Sequence, residues 1–455
     1  MGILNYIVDL GPQVMMPIII TIFGLILGAK FGKALRAGLT VGVGFIGLNL
    51  VIGLLGGSLG PAAQDMVTRL GLNLTVIDVG WPAAAAIAFA SRVGALIIPI
   101  GLIVNIVMLL TNTTQTLDID IWDFWHFAFT GALVTGATGS IMYGIIAAVL
   151  NMIIIMVIAD LTAPGLEKYL GLPGVSLPHG FSGAFVPGAL VINKILDVIP
   201  GINKIELDTD TLQRRFGVFG EPLIIGTVIG LVIGIAAGYN LKGILVLGIT
   251  LGGVLVLIPK MAAMLMEGLI PISDSAQEFV SKRFKNRGKI YIGLDSAVGI
   301  GHPTTLSVSL VLVPITIILA AILPGNRVLP FADLAVIPFS LVMLMPITKG
   351  NVFRTFIIGF INMAVGLLIA TNLAPLHTQM AIDANFTMPP GATMISSICD
   401  GANPLSWLFT RLMSVPFVGV AILTVIALGM AVYNRRRIIK ETRLDREAAA
   451  EGTAE

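Results

Sequence analysis

Five short segments of this chain place acidic, imidazole or amide side chains between glycines and prolines, deep inside apolar surroundings. In the first, Gly293 to Pro303, further glycines and a terminal proline interrupt a helix and leave Asp295 and His302 on irregular backbone. A carboxylate that accepts and an imidazole that donates suit the hydroxyls of a sugar or polyol. The competing reading makes Asp295 the N-cap of a half-helix. Ionisable residues at membrane depth are functional by default, which favours hydroxyl binding.

The second segment, Asp78-Val79-Gly80-Trp81-Pro82, offers a tryptophan that can stack on the apolar face of a ligand. An interfacial tryptophan beside a capping aspartate accounts for it equally well. In the third, Phe219-Gly220-Glu221-Pro222, the glutamate precedes a helix-starting proline. There it caps free amides or presents its carboxylate to hydroxyls, and the second role is preferred. The fourth, Leu177-Pro178-His179-Gly180, reads as a hairpin tip carrying a ligand-binding histidine, against a buried and satisfied one. His126 opens a span among aromatic residues, where an interfacial role outweighs ligand binding. In the fifth, Cys399 to Pro404, Asp400 and Asn403 line a cavity or form a simple turn, and Cys399 reads as structural.

Several chemistries have no support. No GxxxxGK[ST], GxSxG or HExxH run is present, so nucleotide hydrolysis and hydrolytic catalysis lack their residues. One cysteine and four scattered histidines provide neither a disulfide framework nor a metal-ligand spacing. No catalytic residue, metal or cofactor is expected. The net charge of +2 says little about partners, but no basic cluster reads as a nucleic-acid surface, so no nucleic-acid partner is expected.

The elements that hold these segments are membrane helices. The chain has 455 residues, of which 56% are hydrophobic and 11% charged, and its mean hydropathy is +0.97. Soluble domains carry about 25% charged residues, so an all-α polytopic membrane protein is expected. Apolar runs long enough to span lie near 12–29, 34–56, 94–110, 126–159, 218–237, 242–266, 305–323, 331–348, 355–373 and 413–433. The 126–159 run is too long for one straight span. Roughly nine to twelve crossings follow, by the length rule. The N-terminus has no basic region or cleavage site, so no removed signal peptide is expected. Basic clusters at Lys30–Arg36, Lys282–Lys289 and Arg435–Arg446 belong in the cytoplasm. That puts the N-terminus outside and the C-terminus inside.

The chain also repeats itself. Pro12, Gly24, Gly28, Gly38, Thr40 and Gly42 recur at one offset as Pro222, Gly234, Gly238, Gly248, Thr250 and Gly252, and Asp78 aligns with Asp295 after a short gap. Basic residues swap between equivalent loops, as they do when two copies insert in opposite senses. Inverted repeats with broken helices at the midplane are a transporter architecture. The expected organisation is a first repeat (1–140), an intervening span with the His179 hairpin (141–215), and an inverted second repeat (216–374). A broken segment with the last span (375–434) and a cytoplasmic tail (435–455) complete it.

Longer segments carry a resemblance. ILDVIPGINKI (195–205), QRRFGVFGEP (213–222), IGLD (292–295) with GH (301–302), LPGNRVLPFADLA (323–335), GNVFRT (350–355) and LHTQMA (376–381) are similar to the galactitol-type enzyme IIC of the bacterial phosphoenolpyruvate-dependent sugar phosphotransferase system. YIVDLGPQVMMPI (6–18), DVGWP (78–82) and DIDIWDFWHFAFTGAL (118–133) match as well. The resemblance implies a permease of the cytoplasmic (inner) membrane that carries a polyol inward and presents it to a separate cytosolic enzyme IIB bearing a phosphocysteine. Enzyme IIA, HPr and enzyme I stand upstream of it. It also implies a homodimer in which a core domain moves like an elevator against a dimerisation domain. Asp295 and His302 lie in the matching motif and become the first choices for substrate, with Glu221, His179 and Asp78 next and Trp81 and His126 after them. Galactitol is the expected polyol. The alternative is a secondary transporter of polyols or sugars coupled to an ion gradient.

Overall fold

The computed structural model describes residues 12–69, 75–207, 222–283, 289–330, 333–384, 386, 388 and 393–452. The chain opens on a helical hairpin, α1 (Pro12–Ile26) and α2 (Phe31–Arg69). Then come β1 (Val76–Asp78), α3 (Trp81–Ala90), α4 (Gly94–Leu110), β2 (Thr116–Asp118), α5 (Phe124–Thr138), α6 (Ile141–Leu170), β3 (Val175–Ser176), α7 (Gly180–Ala184) and α8 (Val186–Val198). A second hairpin follows, α9 (Pro222–Ala237) and α10 (Leu241–Arg283), and after it β4 (Tyr291–Gly293), α11 (Pro303–Ile322) and β5 (Val328–Leu329). The remainder is α12 (Ile337–Val342), α13 (Met345–Thr348), α14 (Val352–Asp383), β6 (Met394–Ser396), α15 (Pro404–Leu412) and α16 (Pro416–Gly452).

Among the described residues, four helices are long and apolar enough to cross a membrane: α6, α11, α14 and residues Pro416–Leu444 of α16. The overlong 126–159 run resolves into two helices, because Gly139 turns left-handed at φ 70° and ends α5. Close backbone approach then packs α5 on α6, where a Cβ on Gly131 would lie 2.7 Å from the Gly144 carbonyl. Both hairpins turn on a left-handed glycine, Gly28 at φ 87° and Gly238 at φ 78°. They also share a bonding pattern: Gly28 N donates to Leu25 O and Ala29 N to Gly24 O, as Gly238 N does to Ile235 O and Tyr239 N to Gly234 O. Helix α2 lies along α10, so the two hairpins form one layer.

Backbone groups released where helices break must find partners at membrane depth. Here they find them in two three-stranded parallel sheets. β1 lies between β5 and β6, with Val76 opposite both Val328 and Met394. β4 lies between β2 and β3, with Ile292 opposite Leu117 and Val175. Each sheet takes its central strand from one half of the chain and its flanking strands from the other.

Gly293 is the tightest point of the β4 sheet, since a Cβ there would meet Asp118 Cα at 2.8 Å and Thr116 Cγ2 at 2.9 Å. Gly293→Ala should therefore lower the thermal midpoint of the detergent-solubilised protein, at a cost of about 1–3 kcal/mol from overpacking. Gly57→Ala, which meets no atom within 4 Å in α2, should leave the midpoint unchanged or raise it, by about 0.5–1 kcal/mol. Equal midpoints for the two variants would contradict the strand register.

Candidate functional site

In a parallel sheet all strands end at the same edge, and side chains just past the strand ends converge there. The edge of the β4 sheet gathers Asp118 at the end of β2 and Asp120 after it, His179 after β3 and Asp295 after β4. The Asp295 amide donates to Asp120 Oδ2 at 3.2 Å. Its Oδ1 accepts from Ala297 N at 2.7 Å, so Asp295 does cap the 3-10 turn Ser296–Gly299. Oδ2 remains 3.6 Å from His179 Nε2, too long for a hydrogen bond, and the side chain is 19% exposed.

The edge of the β1 sheet gathers Asp78, Asp333 and Ser397. Asp78 accepts from Gly80 N at 3.1 Å and from Asp333 N at 2.9 Å. Asp333 accepts from Trp81 N and the Ser397 hydroxyl, each at 2.5 Å. Every carboxylate oxygen in this pair is occupied. Two contacts join the edges: Trp81 meets Trp122 edge to face at 6.2 Å between ring centroids, and His126 Nδ1 lies 2.7 Å from Asp400 Oδ2.

The histidine tautomers follow from groups that can act in one sense only. The Ser182 amide donates to His179 Nδ1 at 3.2 Å, which leaves the proton of a neutral ring on Nε2. That Nε2–H faces His126 Nε2 at 3.1 Å and donates to it. His126 then carries its proton on Nδ1 and donates to Asp400 Oδ2. Asp400 Oδ1 accepts from Asn403 Nδ2 at 3.0 Å, while Asn403 Oδ1 caps α15 through Leu405 N and Ser406 N. Ser182 Oγ donates to Phe339 O at 2.6 Å and pairs with Ser296 Oγ at 2.7 Å. The result is a buried one-way chain, Ser182 to His179 to His126 to Asp400.

Asp123 stands apart from it. Both its oxygens are buried without a hydrogen-bond partner among the described residues, and it lies within 4.8 Å of ring nitrogens of His126 and His179. Two imidazoles and a carboxylate form a donor set that suits zinc. Coordination through His179 Nε2, however, would need a lone pair there while Nδ1 already spends its own on the Ser182 amide. The polarity of the chain therefore opposes a metal at this point.

The sequence candidates thus separate into groups. Asp295, His179 and His126 come together. Asp78 and Trp81 belong to the neighbouring edge, and Glu221 falls outside the described residues. His302 is the N-cap residue of α11, half-buried, on the irregular segment that Asp295 begins. His126 is 1% exposed, so the interfacial role preferred for it from sequence gives way to a place in the buried chain. Asp400 and Asn403 form more than a turn. Asp120, Trp122, Ser182 and Ser296 join the site without having stood out in the sequence; Asp120, like Asp295, stands two residues past the end of a strand that only the structure reveals.

This arrangement, broken segments meeting at small sheets between apolar helices, defines a membrane carrier. The sequence matches the family described as PTS system sugar-specific permease component over residues 6–391, and the chain belongs to that family. Among curated proteins it is similar to the PTS system galactitol-specific EIIC component of Escherichia coli K12. The two are 43% identical over 412 residues, which is 90% of this chain and 91% of that protein. It is also similar to a putative permease IIC component of the same strain, 42% identical over 437 residues, 96% of this chain and all of the relative.

Asp400 is an acceptor on both oxygens. Asp400→Asn must therefore set its amide NH2 against either His126 Nδ1–H or Asn403 Nδ2–H. A loss of about 1.5–3 kcal/mol is expected, as for hydrogen bonds to charged groups. Asp123→Asn removes a partnerless carboxyl and should cost nothing. Thermal unfolding of the two variants side by side checks this, and equal destabilisation would contradict the assigned polarity.

Proposed function

We propose that this permease carries galactitol or a close polyol inward and presents it to a phosphocysteine-bearing enzyme IIB, supplied in turn by enzyme IIA, HPr and enzyme I. The observation that carries the reading is Asp295 Oδ2, an acceptor with no hydrogen bond, partly exposed at the edge of a cluster whose other carboxylates, Asp118, Asp120 and Asp123, are buried. A polyol hydroxyl can donate to it. His302, on the same irregular segment, supplies a second polar contact, and Trp81 with Trp122 offers apolar surface to the carbon chain. His126 and His179 hold this edge from behind, and Asp78 holds the adjoining one. Glu221 keeps its assigned role as a further hydroxyl ligand.

We also read the two halves as inverted repeats. The exchange of flanking strands between halves and the matched hairpin turns support that reading. On it, the chain is a homodimer whose core moves like an elevator, with the N-terminus outside and the C-terminus cytoplasmic.

The direct test is uptake of labelled galactitol into membrane vesicles, with enzyme IIB and phosphoenolpyruvate supplied or withheld. Phosphorylated product inside, only when both are present, is the expected result. Accumulation of free polyol that a protonophore abolishes would replace the reading with an ion-coupled carrier. Asp295→Asn should weaken binding roughly tenfold or more, since a hydrogen bond to a charged group is worth about 1.5–3 kcal/mol. Wild-type affinity in that variant would remove Asp295 from the site.

A further inference from the structure

A cavity of about 350 Å³ opens away from the cluster just described, between the C-terminal half of α8, the segment after it and the loop joining α13 to α14. Its lining includes Asn193, Asp197, Asn203, Glu206, Lys349 and Arg354. From Val186 to Asp197 along α8 the rise is about 16 Å, so the cavity is separate from the His179 edge. It is connected to that region, because the Thr304 hydroxyl near the start of α11 donates to the Gly350 carbonyl at 3.2 Å.

Two features show that this cavity is built. Arg354 is held by Asp197 at 2.6 Å and Asn193 at 2.9 Å. Asn351 fastens the loop to the segment after α8, accepting from Arg354 N and donating to Ile205 O at 2.8 Å. The second feature is Lys349, which ends α13 in a left-handed conformation at φ 56°. Glycine normally takes that position, and a side chain there carries a cost. Such outliers persist where the side chain has a use. The Lys349 side chain is exposed and has no ion-pair partner among the described residues.

The lining chooses the ligand class. Arg354 and Asp197 neutralise each other, and the amides of Asn193 and Asn351 are already bonded, which leaves Lys349, Glu206 and Asn203 as a cation, an anion and an amide for a ligand. A phosphate dianion would face Asp197 and Glu206 as well as the cations. A neutral polyol, with alternating donor and acceptor hydroxyls, matches Lys349, Glu206 and Asn203 together, and a cavity of this size accommodates one hexitol. Position adds to this. Gly165, near the C-terminal end of α6, lies against Pro346. That same end of α6 carries the Lys289–Glu167 ion pair. By the distribution of basic residues it is the cytoplasmic end.

We propose that this cavity is a second polyol site, lying between the Asp295 edge and the cytoplasm; the inference rests on the polyol-permease reading above. Calorimetric titration of the full-length protein in nanodiscs with galactitol, and in parallel with sorbitol and mannitol, tests it. Two binding components per chain are expected. Lys349→Gly, which suits the left-handed backbone and so keeps the fold, should weaken one component about tenfold, as should Glu206→Gln. Asp295→Asn should weaken only the other. A single component that responds to Asp295→Asn and ignores Lys349→Gly and Glu206→Gln overturns the second site and leaves the permease reading intact. Displacement of the Lys349-dependent component by millimolar inorganic phosphate overturns the ligand class, in favour of an anion. If none of the three polyols binds, the substrate reading and the second site fall together.

Discussion

The fold depends on one constraint: a backbone that leaves the helical state inside a membrane must still pair its amides and carbonyls. The chain breaks its helices at the segments that carry Asp78, His179, Asp295 and Asp400, and each break exposes groups that water cannot reach. Two parallel sheets of two- and three-residue strands absorb them. Both central strands, β1 and β4, have both edges paired, so neither presents an open ladder. What the strands leave over goes to short side chains at their ends. Asp78 takes two backbone amides, Asp295 takes the Ala297 amide, and Asn403 takes two at the start of α15.

That division accounts for the crowding of carboxylates at the strand ends and for the difference between the two edges. At the β1 edge, Asp78 and Asp333 give all four oxygens to amides and a hydroxyl, and the edge is closed. At the β4 edge, Asp295 satisfies one amide and keeps its second oxygen unbonded. The two edges are built from like parts in like order, so the difference between them is informative. Asp118 and Asp123 also keep unbonded oxygens at this edge, but both are buried, whereas the Asp295 side chain is partly exposed.

The broken segments are legible in the sequence, because glycine and proline inside an apolar run mark the points where a membrane helix stops. Asp295 and His179 stand out on that ground. The sheets are not legible, since strands this short show no alternating pattern and their partners are remote, with Val76 paired to Val328. His126 shows the same limit. Its aromatic neighbours in sequence suggest a membrane interface, yet its decisive partner, Asp400, is 274 residues away. The over-long apolar run from 126 hides a helix boundary at Gly139 for a different reason: left-handed glycines and packing glycines look alike in a chain with 52 of them.

The direction of the histidine chain bears on how the open acceptor is preserved. The Ser182 amide commits His179 to donate from Nε2, and that proton is aimed at His126, 3.1 Å away, in preference to Asp295 at 3.6 Å. Asp400 draws the chain onward, because as a carboxylate it can only accept. If His126 were turned to donate through Nε2, the two rings would oppose proton to proton and His179 would have to find another acceptor. Asp295 is the nearest. Asp400 thus keeps Asp295 unbonded without touching it, and the anchor of that arrangement is Asn403, which ties Asp400 to the Gly180 carbonyl at the start of α7. An open carboxylate at this depth is then a property of the whole network.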